Sequence, residues 1–431
     1  MTRCVVGIAA VVLGISGAAS VEAQTAAQPL SLQQAEQLAI ATHPQIQAAE
    51  YSAEAADEVV RAARSAYYPT AFASLTGADA TTGSRIAAGA LNNPIILGRV
   101  AGGVAVNQMV TDFGRTSALV SSAALRADSG RHDVDRHRAD VLLQVDRAYF
   151  LALRAQAVEK VAEDTVAARQ LIVDQVTAQA ASGLKSGLDL SLARVNLSEA
   201  QMLQLQARSD VETAFAALTA ALGRSDAASY ALSETPLPPP PPLDAEALVT
   251  VALQDRPDII AERISEQAAA KFADAEGALR FPSVSLALAV GAAPYHEIGI
   301  SEHYSAAGIN LTLPITTGGL IEARQAAAAL AAKGEEQRLR DLQDTVAQDV
   351  RAAWHDAQTA FQQMDLATQL LAASSDAADL AQARFDIGLG SIVELTQALL
   401  SKTRAEIAVG TARYDYQIRT AVLKYQTGQL K

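Results

Sequence analysis

The stretch Phe385-Asp386-Ile387-Gly388-Leu389-Gly390-Ser391-Ile392-Val393-Glu394-Leu395-Thr396-Gln397 has a near-copy earlier in the same chain. Gly183-Leu184 stands 205 residues before Gly388-Leu389, as Asp189 does before Glu394 and Leu190 before Leu395. The same offset carries Gly103 to Gly308, Val104 to Ile309, Val106 to Leu311, Gly114 to Gly319, Tyr149 to Trp354 and Gly223 to Gly428. A constant offset held for over a hundred residues is a tandem duplication. Nearer the start the offset is 213, taking His43-Pro44 to Arg256-Pro257 and Tyr68-Pro69 to Phe281-Pro282. The eight-residue change falls between Pro69 and Gly103, a local length difference of the kind a surface loop tolerates.

Outward from this repeat, each copy shows the same succession of periods. Helical segments come first, Leu32–Thr42 and Pro44–Tyr67 in the first copy, with proline acceptable in an opening helical turn. A strand follows, clearest where Val284, Leu286, Leu288 and Val290 alternate with Ser283, Ser285, Ala287 and Ala289. One face is large and apolar and the other small or polar, the period of two expected of a two-faced strand. Its partner, Ala307–Leu313, alternates in the same way, and the first copy repeats the pattern more weakly. Then Gly114 to Gly183 and Gly319 to Gly388 each run 69 residues without proline, enough for a helix of about 100 Å. Sevenfold spacing of Val134, Val141 and Ala148, and of Val350, Ala357, Met364 and Leu371, marks coiled-coil seams. A glycine turn and a second helix to Gly223 or Gly428 complete each hairpin.

The expected fold is therefore mainly α with a small β part, built of long coiled-coil helical hairpins in tandem. Residues 24–234 form the first repeat, with a β-hairpin at about 68–111 and a helical hairpin at about 114–223. Residues 235–242 are a proline-rich connector, including the run Pro238–Pro242, which favours extended polyproline geometry. Residues 243–431 form the second repeat, with a β-hairpin at about 282–315 and a helical hairpin at about 319–428.

The first 23 residues set the expected compartment. Arg3, an apolar run from Val5 to Ile15 and the small-residue exit Val21-Glu22-Ala23 have the layout of a secretory signal peptide. The single cysteine, Cys4, falls inside it, so the processed chain would have no thiol for a disulfide or a metal. Removing Arg3 and Glu22 leaves 33 basic and 46 acidic residues, a net charge of −13. An acidic balance without a basic cluster argues against a nucleic-acid partner. No later stretch is apolar for long enough to make a membrane helix, so a crossing would require a closed β-barrel.

Enzyme-like signals dissolve on inspection, and no catalytic residue, resident metal or cofactor is expected. Asp112-Phe113-Gly114 lacks the phosphate loop and strand lysine of a kinase and reads as the end of a strand before a helix. His132 and His137 are five apart, off the four-residue step by which two ligands share a helical face. There is no nucleophile motif and no nucleotide fingerprint. Tyr67, Tyr68, Phe281, Tyr295 and Tyr304 sit near strand ends, where aromatic belts form at membrane interfaces and core packing also places them.

With two repeats, each holding a proline-marked helix entry, an alternating hairpin, a long coiled-coil helix and a Gly-Leu turn, the chain resembles the TolC family of outer-membrane efflux and secretion ducts. The resemblance spans essentially the whole chain after residue 23. It implies a homotrimer in the outer-membrane lipid, with four strands per chain closing a transmembrane barrel of twelve and the helices forming a periplasmic tunnel. It further implies a passive exit duct, served by a periplasmic adaptor and an inner-membrane pump, with a gate at the helical tip. Glu394 falls on the family's first acidic ring position, open to divalent block. Gln397 stands where a second acid is usual. Asp189 matches a residue of the gate latch, whose tyrosine and arginine partners are replaced by Phe385 and Gly390. Since Phe385 has no hydroxyl and Gly390 no charge, the usual latch cannot form and a weaker one is expected. Gly183, Leu184, Gly388 and Leu389 match the adaptor-docking turns, where glycine also serves to end a helix. The alternative is a periplasmic coiled-coil adaptor or spacer without a pore, disfavoured because the hairpin occurs twice.

Overall fold

The structure, a computed structural model, describes residues 28–79, 85–88, 91–95, 98–225, 230–296, 298 and 301–430. The expected leader Met1–Ala23, with Cys4, lies outside the described residues. The first copy comprises β1 (Gln28–Leu30), α1 (Leu32–Thr42), α2 (Pro44–Arg64), β2 (Thr70–Ala78), β3 (Arg85–Ala88), β4 (Leu91–Ile95), β5 (Arg99–Thr111), α3 (Arg115–Ala181), α4 (Gly187–Ala221) and β6 (Tyr230–Leu232). The second comprises α5 (Ala245–Asp255), α6 (Pro257–Gly277), β7 (Ser283–His296), β8 (His303–Thr312), α7 (Leu320–Asp386) and α8 (Ile392–Gln426). The helix expected to reach Tyr67 stops at Arg64 and tightens into a single turn of 3-10 helix over Ser65–Tyr67. Pro69 accounts for the stop, because the residue before a proline is pushed out of the helical region, and Tyr68 is extended.

α3 and α7 each contain 67 residues, about 100 Å of continuous helix. Near the turns the helices are ordered α4, α3, α8, α7 across one layer; at the sheet end the order is α2, α3, α6, α7. α2 thus stands above α4 and α6 above α8, so the layer keeps four helices along its length. The stacking depends on close approach at two glycines. A Cβ on Gly223 would lie 2.9 Å from the Cα of His43, at the α1–α2 corner, and one on Gly428 would lie 3.1 Å from the backbone nitrogen of Arg256, at the α5–α6 corner. Both glycines are left-handed, with φ of +71° and +72°, so each ends its helix and lets the next one sit on top.

The core lies where the two copies and the connector meet. Val141, Val145, Tyr149, Ala35, Ala39, Ile46 and Leu218 pack together there, all but excluded from solvent. Tyr149 Oη bonds to the carbonyl oxygens of Leu30 (2.9 Å) and Ser233 (2.7 Å), fastening the parallel pair β1–β6. Trp354, its counterpart in the duplication, donates from Nε1 to the Pro242 carbonyl at 2.7 Å, and Tyr416 donates to the Pro239 carbonyl. The proline run is therefore strapped along α7 and α8 rather than left free.

At the other end of the layer β2, β5, β7 and β8 form one antiparallel sheet in that order. The first copy's extra length lies between β2 and β5, in the connection that carries the small hairpin β3–β4. Register stacks Val106 beside Leu288, Val104 beside Val290, Leu286 beside Ile309 and Val284 beside Leu311, giving one broad apolar face. The opposite face holds Asn107 beside Ala287, Ser285 beside Asn310 and Ser283 beside Thr312. On that face the Tyr304 ring lies over Gly291 and Gly103, where a Cβ would fall within 2.3 Å of the phenol. Among the described residues β2 and β8 pair on one side only, so the sheet has two open edges.

Candidate functional site

The two hairpin turns form the end of the molecule opposite the sheet. Each is a left-handed glycine cap of the same form. Gly183 N–H bonds to the Ala180 carbonyl at 3.1 Å and Leu184 N–H to Gln179 at 2.9 Å; Gly388 and Leu389 repeat the pair on Phe385 and Arg384 at 3.1 and 2.8 Å. With φ of +75° and +78° the two positions suit glycine, since a Cβ there clashes with the following carbonyl. The cap turns Leu184 and Leu389 outward, 77% and 69% exposed. Leu188, Ile387 and Val393 are exposed beside them, so the tip presents bare apolar side chains.

The two acids do different things. Asp189 folds back on Ser186, accepting from its backbone N–H at 3.0 Å and its hydroxyl at 2.8 Å, a capping box at the start of α4. Those bonds, the backbone one foremost, hold its carboxyl below the usual range. Glu394 occupies the equivalent place on α8, but its side chain reaches Arg384 instead, with Oε1 3.1 Å from Nε. Arg384 also donates to the Leu389 carbonyl at 3.3 Å, so it ties the second turn shut. The pair is about half exposed at both ends. Gln397 is exposed one turn further along α8.

Asp189, Phe385 and Gly390 are not bonded to one another. Phe385 is 1% exposed and inserts among Ile172, Val173 and Val176 of α3, Ala193 of α4, and Ile392 and Leu395 of α8. Gly390 continues the turn, its N–H bonded to the Arg384 carbonyl at 2.9 Å. Its counterpart 205 residues earlier is Lys185, and that cation lies over the Phe385 ring, Nζ 4.2 Å from the centroid. Gln175 of α3 donates to Asp386 of α7 at 3.0 Å. Lys185, Arg384 and Gln175 were not singled out from the sequence. The duplication offset that pairs Lys185 with Gly390 was the available signal for the first. Among the described residues there is no group of three His, Cys, Asp or Glu side chains placed to hold a metal.

A profile described as "Outer membrane efflux protein" matches residues 21–224 and 248–429, nearly the whole chain and both repeats. The chain belongs to that family. Among curated relatives of this efflux protein, the Outer membrane protein TolC of Salmonella enteritidis is 22% identical over 421 residues, covering 94% of the chain and 83% of the relative. The fold is that of crystallised CusC, with a TM-score of 0.79, 18% identity and 92% of each chain covered. It is also that of the open state of the Neisseria gonorrhoeae MtrE outer membrane channel, with a TM-score of 0.74, 22% identity, and 93% and 89% covered. This efflux protein is thus an outer-membrane exit duct whose long helices occupy the periplasm. The family is one of transport proteins.

Proposed function

We propose that three copies of the chain assemble into a passive duct that crosses the outer membrane as a twelve-stranded barrel. In this reading the duct is gated at the helical tip and capped by a periplasmic adaptor that joins it to an inner-membrane pump. The observation that carries the reading is the four-stranded sheet, apolar on one face, small or polar on the other apart from Phe72 and Tyr304, and open at both edges among the described residues. A sheet with open edges cannot sit in lipid, because unpaired backbone groups cost several kcal/mol each there; closure by symmetry-related copies removes them. β2, β5, β7 and β8 have 9, 13, 14 and 10 residues, enough for the about 9–11 of a tilted membrane strand.

The gate in this reading is the set Phe385, Lys185, Asp189, Gly390, Glu394 and Gln397, with Gly183, Leu184, Gly388 and Leu389 as the docking turns. Three Glu394 carboxylates drawn together by threefold symmetry would favour cations over anions, less strongly while each is paired with Arg384. Single-channel recording of the purified protein in a planar bilayer, with and without millimolar divalent cation, tests this. Discrete cation-selective steps, blocked by the divalent and released in Glu394→Ala, are expected. Failure to insert where a control porin inserts would overturn the channel in favour of a coiled-coil spacer. Block that persists in Glu394→Ala would remove that residue from the gate.

A further inference from the structure

Arg169, on α3 about 20 Å from the first turn, is a buried cation with nothing bonded to it. It is 7% exposed, and among the described residues no group accepts a hydrogen bond from its guanidinium and no carboxylate lies within ion-pair distance. Burial lowers its pKa, and the more distant charge of Glu199 opposes that shift. The guanidinium nitrogens still reach solvent, so their hydrogen bonds go to whatever fills the space they face, water or a guest. Packing does not require the charge. The duplication places Ser374 at the same point of α7, equally buried, its hydroxyl bonded to the Leu371 carbonyl at 3.1 Å. The fold therefore fills this position without a charge in the second copy.

Arg169 faces a half-open cavity of about 210 Å³ between α3, α4 and α8. Thr165, Asn196 and Glu199 of the first hairpin line it, with Thr396 and Thr403 of the second. Leu203 and Leu400 form an apolar wall. Asn196 Nδ2 donates to Thr396 Oγ1 at 2.9 Å, and the hydroxyls of Thr165 and Thr403 are 3.4 Å apart, so polar contacts cross between the hairpins here. The amide's second hydrogen and the remaining hydroxyl capacity stay free for a guest. The volume is below the about 300–1,000 Å³ of sites for drug-sized molecules, so a guest must be small.

We propose that this cavity binds a small zwitterion, its carboxylate on Arg169, its ammonium group toward Glu199 and a short apolar body against Leu203 and Leu400. Arg169 and Glu199 sum to no net charge. A cation meets the guanidinium, a dianion meets the carboxylate, and only a dipolar guest satisfies both. Such a guest contacts both hairpins at once, so its binding ties one copy of the duplication to the other within the chain and stabilises the folded state by mass action.

Calorimetric titration of the full chain in detergent, with γ-aminobutyrate, butyrate and butylamine as probes, tests the proposal alongside thermal unfolding in each. Saturable binding of γ-aminobutyrate at one site per chain, with a rise in Tm, is expected, the other two probes binding at least about tenfold more weakly for want of one charged contact. Arg169→Met should weaken γ-aminobutyrate binding by at least about tenfold. Because that change could loosen the seam, Glu199→Gln at the exposed rim gives a second reading: butyrate should then bind at least as tightly as γ-aminobutyrate. Absence of saturable binding of any probe up to about 10 mM, a concentration that reveals even millimolar affinity, overturns the proposal and leaves Arg169 hydrated by water alone. Undiminished binding in Arg169→Met, or an unchanged preference in Glu199→Gln, overturns it as well.

Discussion

Asp146 is 3% exposed on α3, beside Glu36 of α1 and near Lys424 of α8. Burial raises its pKa first, the charge and hydrogen bond of Glu36 raise it further, and Lys424 opposes them; the result is about 8. The folded chain thus holds a proton that the unfolded chain releases in the ordinary carboxylate range. That contribution to stability is complete below about pH 4 and is lost as pH climbs through about 8, by up to about 1.4 kcal/mol per pH unit. Asp146→Asn keeps the shape and removes the titration. Its melting temperature should match the wild type near pH 4 and exceed it by a few degrees at pH 8 (roughly, for a few kcal/mol in a chain of this size). Parallel melting curves across that range would remove Asp146 as the source. The Arg384–Glu394 pair is a different case: both ends are half exposed, so it adds little stability and matters for where the charge sits.

Among the elements, the helical hairpins were legible because their information is local. Proline-free runs, sevenfold apolar spacing and a glycine at each turn fix length, seam and end without knowledge of any distant residue. The strands were legible for the same reason, through their period of two. What escaped was set by contacts across the fold. Ser186 and Asp189 close a full capping box, whereas at the second turn only Ser391 accepts from the Glu394 N–H and the Glu394 carboxylate goes to Arg384. From the sequence Phe385 signifies a lost hydroxyl; in the fold it is an apolar plug, and its ring carries Lys185. Phe385→Ala would empty the packed space against α3, a loss of about 3–5 kcal/mol for a fully buried site. Since that packing holds the second hairpin against the first, the variant should conduct more and be cut more readily by protease at the turns. Unchanged conductance would mean that Phe385 packs the tip without restraining it. Leu184→Asp together with Leu389→Asp tests the outer side of the same turns. Export should fall to background while the trimer and its conductance persist, because the exposed leucines contribute to no core. Normal export would place adaptor contact elsewhere.

For the whole molecule the decisive feature is what one chain leaves uncovered. α3 lies against α8, which puts α4 and α7 at the outer edges of the layer. α4 exposes Leu188, Val195 and Met202, and α7 exposes Leu366, Ala373 and Leu380, each set spaced by seven. Both sets lie within about 30 Å of the turns, at interleaved heights, since α4 climbs from its turn while α7 descends to its own. Two sevenfold apolar stripes on opposite edges form a heterologous interface, the kind that closes a ring when the rotation is right. The sheet makes the same demand at the far end, with β2 open on one side and β8 on the other. One copy packing its α4 on the next copy's α7, and its β2 on the next copy's β8, satisfies both ends with a single operation. Val195→Glu combined with Met202→Glu places charge in the helical seam and leaves the sheet untouched. In detergent, light scattering should then show loss of the trimer or a trimer joined only through its barrel, with the α4 face newly open to protease. An intact, protease-resistant trimer would mean that these stripes face something other than a second copy of the chain. In that case the sheet edges alone would hold the assembly together.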